Sequence, residues 1–463
     1  MPASPTSVAQ AEAGAGVRLR RELGLASATA AVAGEAIAVG IFLTPAGMAR
    51  SLGSPMWLLL VWLAVGGMTL SGALSFGELA GRFPRTGGQY VYLEEAFGQR
   101  VAFLFGWMSL LVLDPGLAAA LGTGLGSYAA YAFDWPAAAT KLIAVGVICT
   151  LCAINILSIR LTARLLRWMT GLKLGTLALL TAWAFASGAG SWSNFRPFVA
   201  QRPGALPLGG ALAVAMVGAF FSFGGWWDVS KIAGEIRDPG RVLPRAMVLG
   251  VTAVTAVYVL VSAAFVYLIP MEAVTSDETF VAQAGEVLFG QAGGIVFAAI
   301  VAVCIFGSLA AFIMTAPRVY YAMARDGLFP KPVARIHPRL GTPAAAITIQ
   351  GAMASILVGL GTFEEIVSYF MFAAVAFLGL TVAGLFVVRS GDGPAGAAVR
   401  TPGYPLTPSI FLVLVVALLT LLAIENPVQA LLGTLVVAAG APVHALVFRR
   451  AGKEAPAQTT GPD

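Results

Sequence analysis

Apolar runs long enough to cross a hydrocarbon core of about 30 Å recur from one end of the chain to the other, separated by short polar stretches rich in arginine. Twelve such runs can be drawn: 26–50, 55–80, 99–132, 139–157, 162–187, 207–235, 243–269, 292–325, 343–360, 364–389, 405–424 and 428–448. Apolar continuity over about 18 residues marks a transmembrane helix rather than a strand. Two runs are interrupted by glycine where a membrane helix should be most continuous. The first carries Ile37-Ala38-Val39-Gly40-Ile41-Phe42, and the sixth Phe221-Ser222-Phe223-Gly224-Gly225-Trp226. A break inside a bilayer strands backbone amides and carbonyls, and persists only where protein, water or a ligand satisfies them. A pair of breaks five spans apart therefore predicts a solute site near the membrane midplane.

Composition narrows the class. Apolar residues make up 58% of the 463 and charged residues 11%, with a mean hydropathy of +0.86. A soluble fold could not bury that much apolar surface. The expected organisation is a disordered cytoplasmic N-terminus (1–22), one transmembrane domain (23–450) and a disordered cytoplasmic tail (451–463). No cleavable signal precedes the first run. The net charge of +6 does not point to nucleic acid, because the basic residues sit in short loops, where they set topology. With the N-terminus cytoplasmic, 23 of the 28 basic residues fall on the inward side; Arg50, Lys141, Arg196 and Arg202 fall outside, and Lys173 lies within a span. The acidic outward loop 271–288 suits a short helical lid, and 87–98 is too polar to span and reads as a cytoplasmic interfacial segment.

Metal and redox chemistry find little support. Cys149 and Cys152 form a C-x-x-C on a predicted membrane helix, without a second thiol pair or a nearby histidine, and suit packing. His337 and His444 lie near helix ends as interfacial residues. No cofactor is implied.

The breaks suggest what binds. Amides of Val39, Gly40 and Ile41 open an outer half-helix, whose positive dipole end suits a carboxylate. Carbonyls of Phe221 and its neighbours Ser222 and Phe223 close a half-helix and suit an ammonium group. A zwitterion with both groups a few ångströms apart is an α-amino acid. Alternatively the glycines only permit close helix packing.

The stretches IAVGIFLTP (37–45), FGELAGRFPRTGGQYVYLEEAFG (76–98), FSFGGWWDVSKIAGEIRDPGRVLPRA (221–246), PRVYYAMARDGLFPKPVARIHPRLGTP (317–343) and TPGYPLTP (401–408) resemble amino-acid permeases of the amino acid–polyamine–organocation superfamily, most of all its L-type branch. The resemblance runs from about Leu23 to Arg450. It implies an all-α integral membrane protein of twelve transmembrane helices, with two inverted five-helix repeats (26–187 and 207–389), two trailing helices (405–448) and breaks in spans 1 and 6. The family's signature of glycine, small polar residue and glycine falls on Ala38, Val39 and Gly40, so two positions depart and the carboxylate loses a hydroxyl partner. Phe221 matches the family's aromatic gate. Carbonyls of Ala36, Phe221 and Gly224 are implied to receive the ammonium. Trp227 stands where relatives carry a smaller polar residue; it either shrinks the side-chain pocket to suit a small neutral substrate or faces away and packs.

Three intramembrane charges remain. Lys173, alone in span 5, matches a lysine that in sodium-independent relatives replaces the sodium ion and bridges spans 1, 5 and 8; the other reading is a side chain snorkelling to the interface. Glu35 stands one turn before the span 1 break. It either approaches Lys173 or the substrate ammonium and titrates during transport, or forms a structural pair. Asp114 precedes Pro115 in span 3, and either favours a cationic substrate or caps backbone groups freed by the proline. Asp228, Lys231, Glu235, Arg237 and Asp238 read mostly as a solvated loop, and the resemblance adds inner-side gating pairs with 82–100.

The expected function is secondary active transport of small neutral amino acids across the inner membrane, independent of sodium, by proton symport or exchange. The substrate, protons and membrane lipids are the expected partners, with no nucleic acid and no obligatory protein subunit. A polyamine or cationic amino-acid carrier is the alternative within the fold. A membrane enzyme acting on lipid would need clustered His, Asp or Ser, and a channel would need a repeated filter; neither pattern is present in the sequence.

Overall fold

The computed structural model describes residues 21–38, 40–136, 138–274, 280–360, 363–391, 399–425 and 427–451. Val39, the tail 452–463 and most of the N-terminal 1–22 segment lie outside the described residues. Among those described the chain is helical throughout, apart from an isolated parallel bridge between Leu23 and Ile236. Nine helices are long and apolar enough to cross a membrane, running in order from Pro55–Arg82 to Leu406–Ile424. The broken first span and two shorter apolar helices, Ala344–Leu360 and Ala430–Leu446, complete the twelve expected segments.

Span 1 consists of the helices Leu25–Ala36 and Gly40–Leu52. Span 6 is the helix Leu208–Phe223 followed, past Gly224–Trp227, by tighter 3-10 turns over Asp228–Glu235. Span 3 changes pitch in its middle, where Ser109–Leu113 follow a wider π-helical path before Asp114–Ala132. Pro115 lacks an amide and would press on the carbonyl one turn back, and the wider turn relieves that clash.

Two groups of helices emerge from the packing. Spans 1, 2, 6 and 7 lie mainly against one another, with span 7 (Pro239–Leu268) along both span 2 and the first half of span 1. Spans 3, 4, 8 and 9 form the second group, with span 8 (Gly293–Thr315, continued by Pro317–Arg325) against span 3. Span 5 (Ile159–Ala186) touches span 1 on one side and span 8 on the other. The site lies in the seam between the groups.

Two polar segments behave differently from the sequence expectation. The stretch expected at the interface forms the helix Gln89–Phe97, but its first turns, Gln89–Leu93, are buried in protein. The outward loop carries the helix Phe280–Phe289, packed on spans 8 and 1.

Candidate functional site

The two breaks touch. A methyl group at Gly40 would stand 2.5 Å from Ser222 Cα, so glycine alone lets the span 1 break lie against span 6. Thr44 Oγ1 donates to the Gly40 carbonyl at 2.9 Å and stands 2.8 Å from the Ser222 hydroxyl, one turn into the second half-helix. In span 6 the Gly224 amide donates back to the Phe221 carbonyl at 3.0 Å and ends the helix. Gly225 then takes φ +96°, and a Cβ there would meet Glu35 Cβ at 2.8 Å. Both the left-handed backbone and the close approach demand glycine.

A cavity of about 680 Å³, its mouth included, opens where the breaks meet. Ala36, Ala38, Gly40, Phe221, Ser222, Gly224 and Trp227 line it from the breaks, and Leu113, Leu117, Leu121, Phe312 and Met371 supply an apolar wall. Trp227 thus faces the cavity, its ring edge-on to Trp226 at 5.5 Å. Two residues expected at the substrate do not line it. Ile41 is buried in the core, and Phe223 turns to Trp62 and Tyr258, with ring centroids 6.1 and 5.1 Å away. Two positions along a helix rotate a side chain by about 200°, so Phe221 and Phe223 cannot both face the cavity.

The carbonyls expected to receive an ammonium already have protein donors. The Ala36 carbonyl accepts from the Ala38 amide at 2.8 Å and lies 2.7 Å from the Tyr258 hydroxyl. That hydroxyl is also 2.7 Å from the Ser222 carbonyl. Each carbonyl retains a second lone pair. Tyr258 is the residue that sequence reasoning missed: a tyrosine in an apolar span gives no sign of which backbone groups it will reach.

Lys173 is 1% exposed, so it does not snorkel. Its ammonium donates to the carbonyls of Gly34 and Ile37 at 2.8 and 2.9 Å and to Ser308 Oγ at 2.6 Å, joining spans 1, 5 and 8. Three acceptors match the three protons of the charged form. Glu35 does not make an ion pair with it. Its Oε1 accepts from Thr315 Oγ1 at 3.0 Å, on the opposite side of the half-helix.

Asp114 neither caps the proline turn nor meets the cavity. Lys231 donates to its Oδ1 at 3.0 Å, and Ser109 Oγ and Tyr320 OH donate to its Oδ2 at 2.5 and 3.0 Å. Lys231 also pairs with Asp228 at 2.8 Å. The solvated-loop expectation is therefore wrong for Asp228, Lys231 and Glu235, each 1% exposed, and holds for Arg237 and Asp238. Buried charge demands a partner, and each of these finds one: Glu235 Oε1 accepts from Arg318 Nε at 2.8 Å.

These pairs close one end of the bundle. The Gly87 amide donates to the Lys231 carbonyl at 3.0 Å and Tyr90 OH to Asp326 Oδ2 at 3.0 Å. Leu23 is tied to span 6 through its carbonyl, which accepts from the Arg237 amide at 2.8 Å. Glu78 in span 2 accepts from Arg389 Nε at 2.9 Å, from the Thr401 amide at 2.7 Å and from Arg82. The cavity wall instead climbs span 3 from Leu113 to Leu121, away from this end.

Comparison with known proteins places the chain. The family model for amino acid permeases matches residues 23–445. The serine/threonine exchanger SteT of Bacillus subtilis (strain 168) is 29% identical over 92% of this chain and 96% of its own. The b(0,+)-type amino acid transporter 1 of Mus musculus is 31% identical over 89% of this chain and 83% of its own. The human large neutral amino acids transporter small subunit 2 is 30% identical over 94% and 81%. These relatives are transporters rather than enzymes, and the broken spans meeting at a cavity are the architecture such proteins require. The chain belongs to the amino acid permease family, as a multi-pass membrane protein of amino-acid transport.

Proposed function

We propose that the chain moves small neutral amino acids across the cytoplasmic membrane by alternating access, without sodium and without a protein partner. The observation that carries this reading is the cavity shared by the two breaks, with Trp227 turned into it. The amides at Gly40 and Ile41 suit the carboxylate, and the second lone pairs of the Ala36, Phe221 and Gly224 carbonyls suit the ammonium. The Trp227 indole occupies room that a long side chain would need, and Phe221 lies at the mouth as the gate. Lys173 supports sodium independence, because its ammonium bridges backbone carbonyls of span 1 and a hydroxyl of span 8 where a metal ion would otherwise be needed. On this reading both termini are cytoplasmic, residues 23–450 act as one unit, and the closed end faces the cytoplasm. Spreading 23 of the 28 basic residues on that side supports the orientation.

The test is radiolabelled alanine uptake by the purified chain in proteoliposomes, with unlabelled amino acids trapped inside. Saturable uptake in choline buffer, competed by serine and glycine, supports the reading. Glu35, at the cavity wall, favours a cationic substrate as the second reading, and stronger competition by lysine or a diamine than by serine would select it.

A further inference from the structure

The carboxyls of Glu35 and Asp228 are hydrogen-bonded to one another across the two breaks. Two ionised carboxylates only accept, so a bond between them holds a proton. The charges around them lead to the same count. Glu35 from span 1, Asp114 from span 3 and Asp228 from span 6 bring three carboxyls into one buried set. Facing them are the ammonium groups of Lys231, on Asp114 and Asp228, and of Lys173, on the carbonyls either side of Glu35. Two cations against three anions leave one negative charge, and a single proton neutralises it. The remaining titratable groups on the packed elements are already engaged or hold no charge: Tyr320 donates to Asp114, Tyr258 donates to backbone, and Cys304 is a buried thiol near Lys173.

Access to this proton is built in. Glu35 is 5% exposed, its Oε2 has no other donor, and it lies in the cavity lining beside Gly225. Asp228 begins the segment that runs from the break to the closed end. The pair therefore stands between the substrate cavity and the end that must open next.

We infer that the Glu35–Asp228 pair is the proton-binding site of a symport cycle, taking one proton from the open cavity with each amino acid and releasing it to the other side. Water in the cavity gives the proton to a Glu35 carboxylate oxygen. When the closed end parts and Lys231 and Asp228 meet water, the O–H bond breaks and the proton leaves to that water. The inference rests on the amino-acid transport proposed above and selects symport over exchange.

The experiment uses the purified chain in proteoliposomes loaded with a pH-sensitive dye, with alanine as the probe. Wild-type vesicles should acidify on alanine addition by about one proton per alanine taken up, and an imposed inward proton gradient should concentrate alanine inside. In Glu35→Gln and in Asp228→Asn the protons moved per alanine should fall to zero. An infrared spectrum of the purified protein in detergent adds a readout that needs no transport: a protonated-carboxyl stretch in the wild type, lost in each variant. Alanine counterflow without acidification, acidification that survives Glu35→Gln, or a wild-type spectrum without that band would each overturn the proton site while leaving the transport reading intact. Absence of counterflow for every amino acid offered would instead overturn the transport reading, and the symport with it.

Discussion

The hydroxyl of Tyr258 stands 2.7 Å from the carbonyl oxygen of Ala36, the last residue of the first half-helix of span 1, and equally far from that of Ser222 in span 6. One phenolic proton serves two stranded carbonyls, and span 7 thereby ties the breaks together from behind the cavity. Tyr258→Phe removes that donor while keeping the ring packed on Trp62 and Phe223. The expected loss is about 1–3 kcal/mol of stability, read as a lower melting temperature, together with slower alanine uptake.

Gly40→Ala should separate the breaks. The added methyl would stand 2.5 Å from Ser222 Cα, a backbone atom that cannot turn aside. Overpacking of this kind costs about 1–3 kcal/mol, and here it falls on the cavity, so uptake should fall more steeply than melting temperature. Gly47→Ala, where a Cβ meets nothing within 4 Å, is the control and should change neither.

Trp227→Ala should widen substrate choice. Filling or emptying a pocket by a methylene changes discrimination by about tenfold or more. Competition by leucine relative to alanine should rise by at least about that factor. Unchanged competition would mean that the indole does not set the size limit.

Lys173→Ala should abolish uptake in choline buffer. The charged hydrogen bonds it makes to Gly34, Ile37 and Ser308 contribute about 1.5–3 kcal/mol each in other settings, and span 1 loses its tie to span 8. Wild-type uptake should be the same in sodium and choline buffers.

Arg318 and Glu235 invite a double-mutant cycle. Both are buried, at 0% and 1% exposure, and joined at 2.8 Å. Arg318→Met alone leaves a buried carboxylate unpaired, costing about 3–5 kcal/mol. Adding Glu235→Gln should restore much of that, measured by thermal unfolding in detergent.

Much of the architecture was legible in the sequence because the bilayer imposes it: a span must be apolar for its full length, so glycine inside one stands out. Gly40 and Gly224 were found that way, and Lys173 by its isolation. The charges at the closed end were not. Asp228, Lys231 and Glu235 follow a break and look like a polar loop, because their partners Asp114 and Arg318 lie more than eighty residues away along the chain and hydropathy carries no information about pairing. Glu35 was singled out but given the wrong neighbour: its side chain leaves the half-helix toward Thr315 and Asp228, whereas Lys173 meets the backbone on another face. Phe223 was misplaced for a simpler reason, since the sequence names a break without saying which of its residues turn inward.

The ion pairs of Lys231 with Asp114 and of Arg318 with Glu235 cross the seam between the two helix groups, and that bears on how readily the bundle can reverse. Apolar surfaces pulled apart meet water at a cost of about 25 cal/mol per Å². Charged groups pulled apart regain the hydration they gave up on burial, which offsets much of the attraction lost. A seam fastened by charge is thus one that water can take over, contact for contact. The same groups that hold the cytoplasmic half shut while the cavity fills would form the wetted walls of the exit path once it opens.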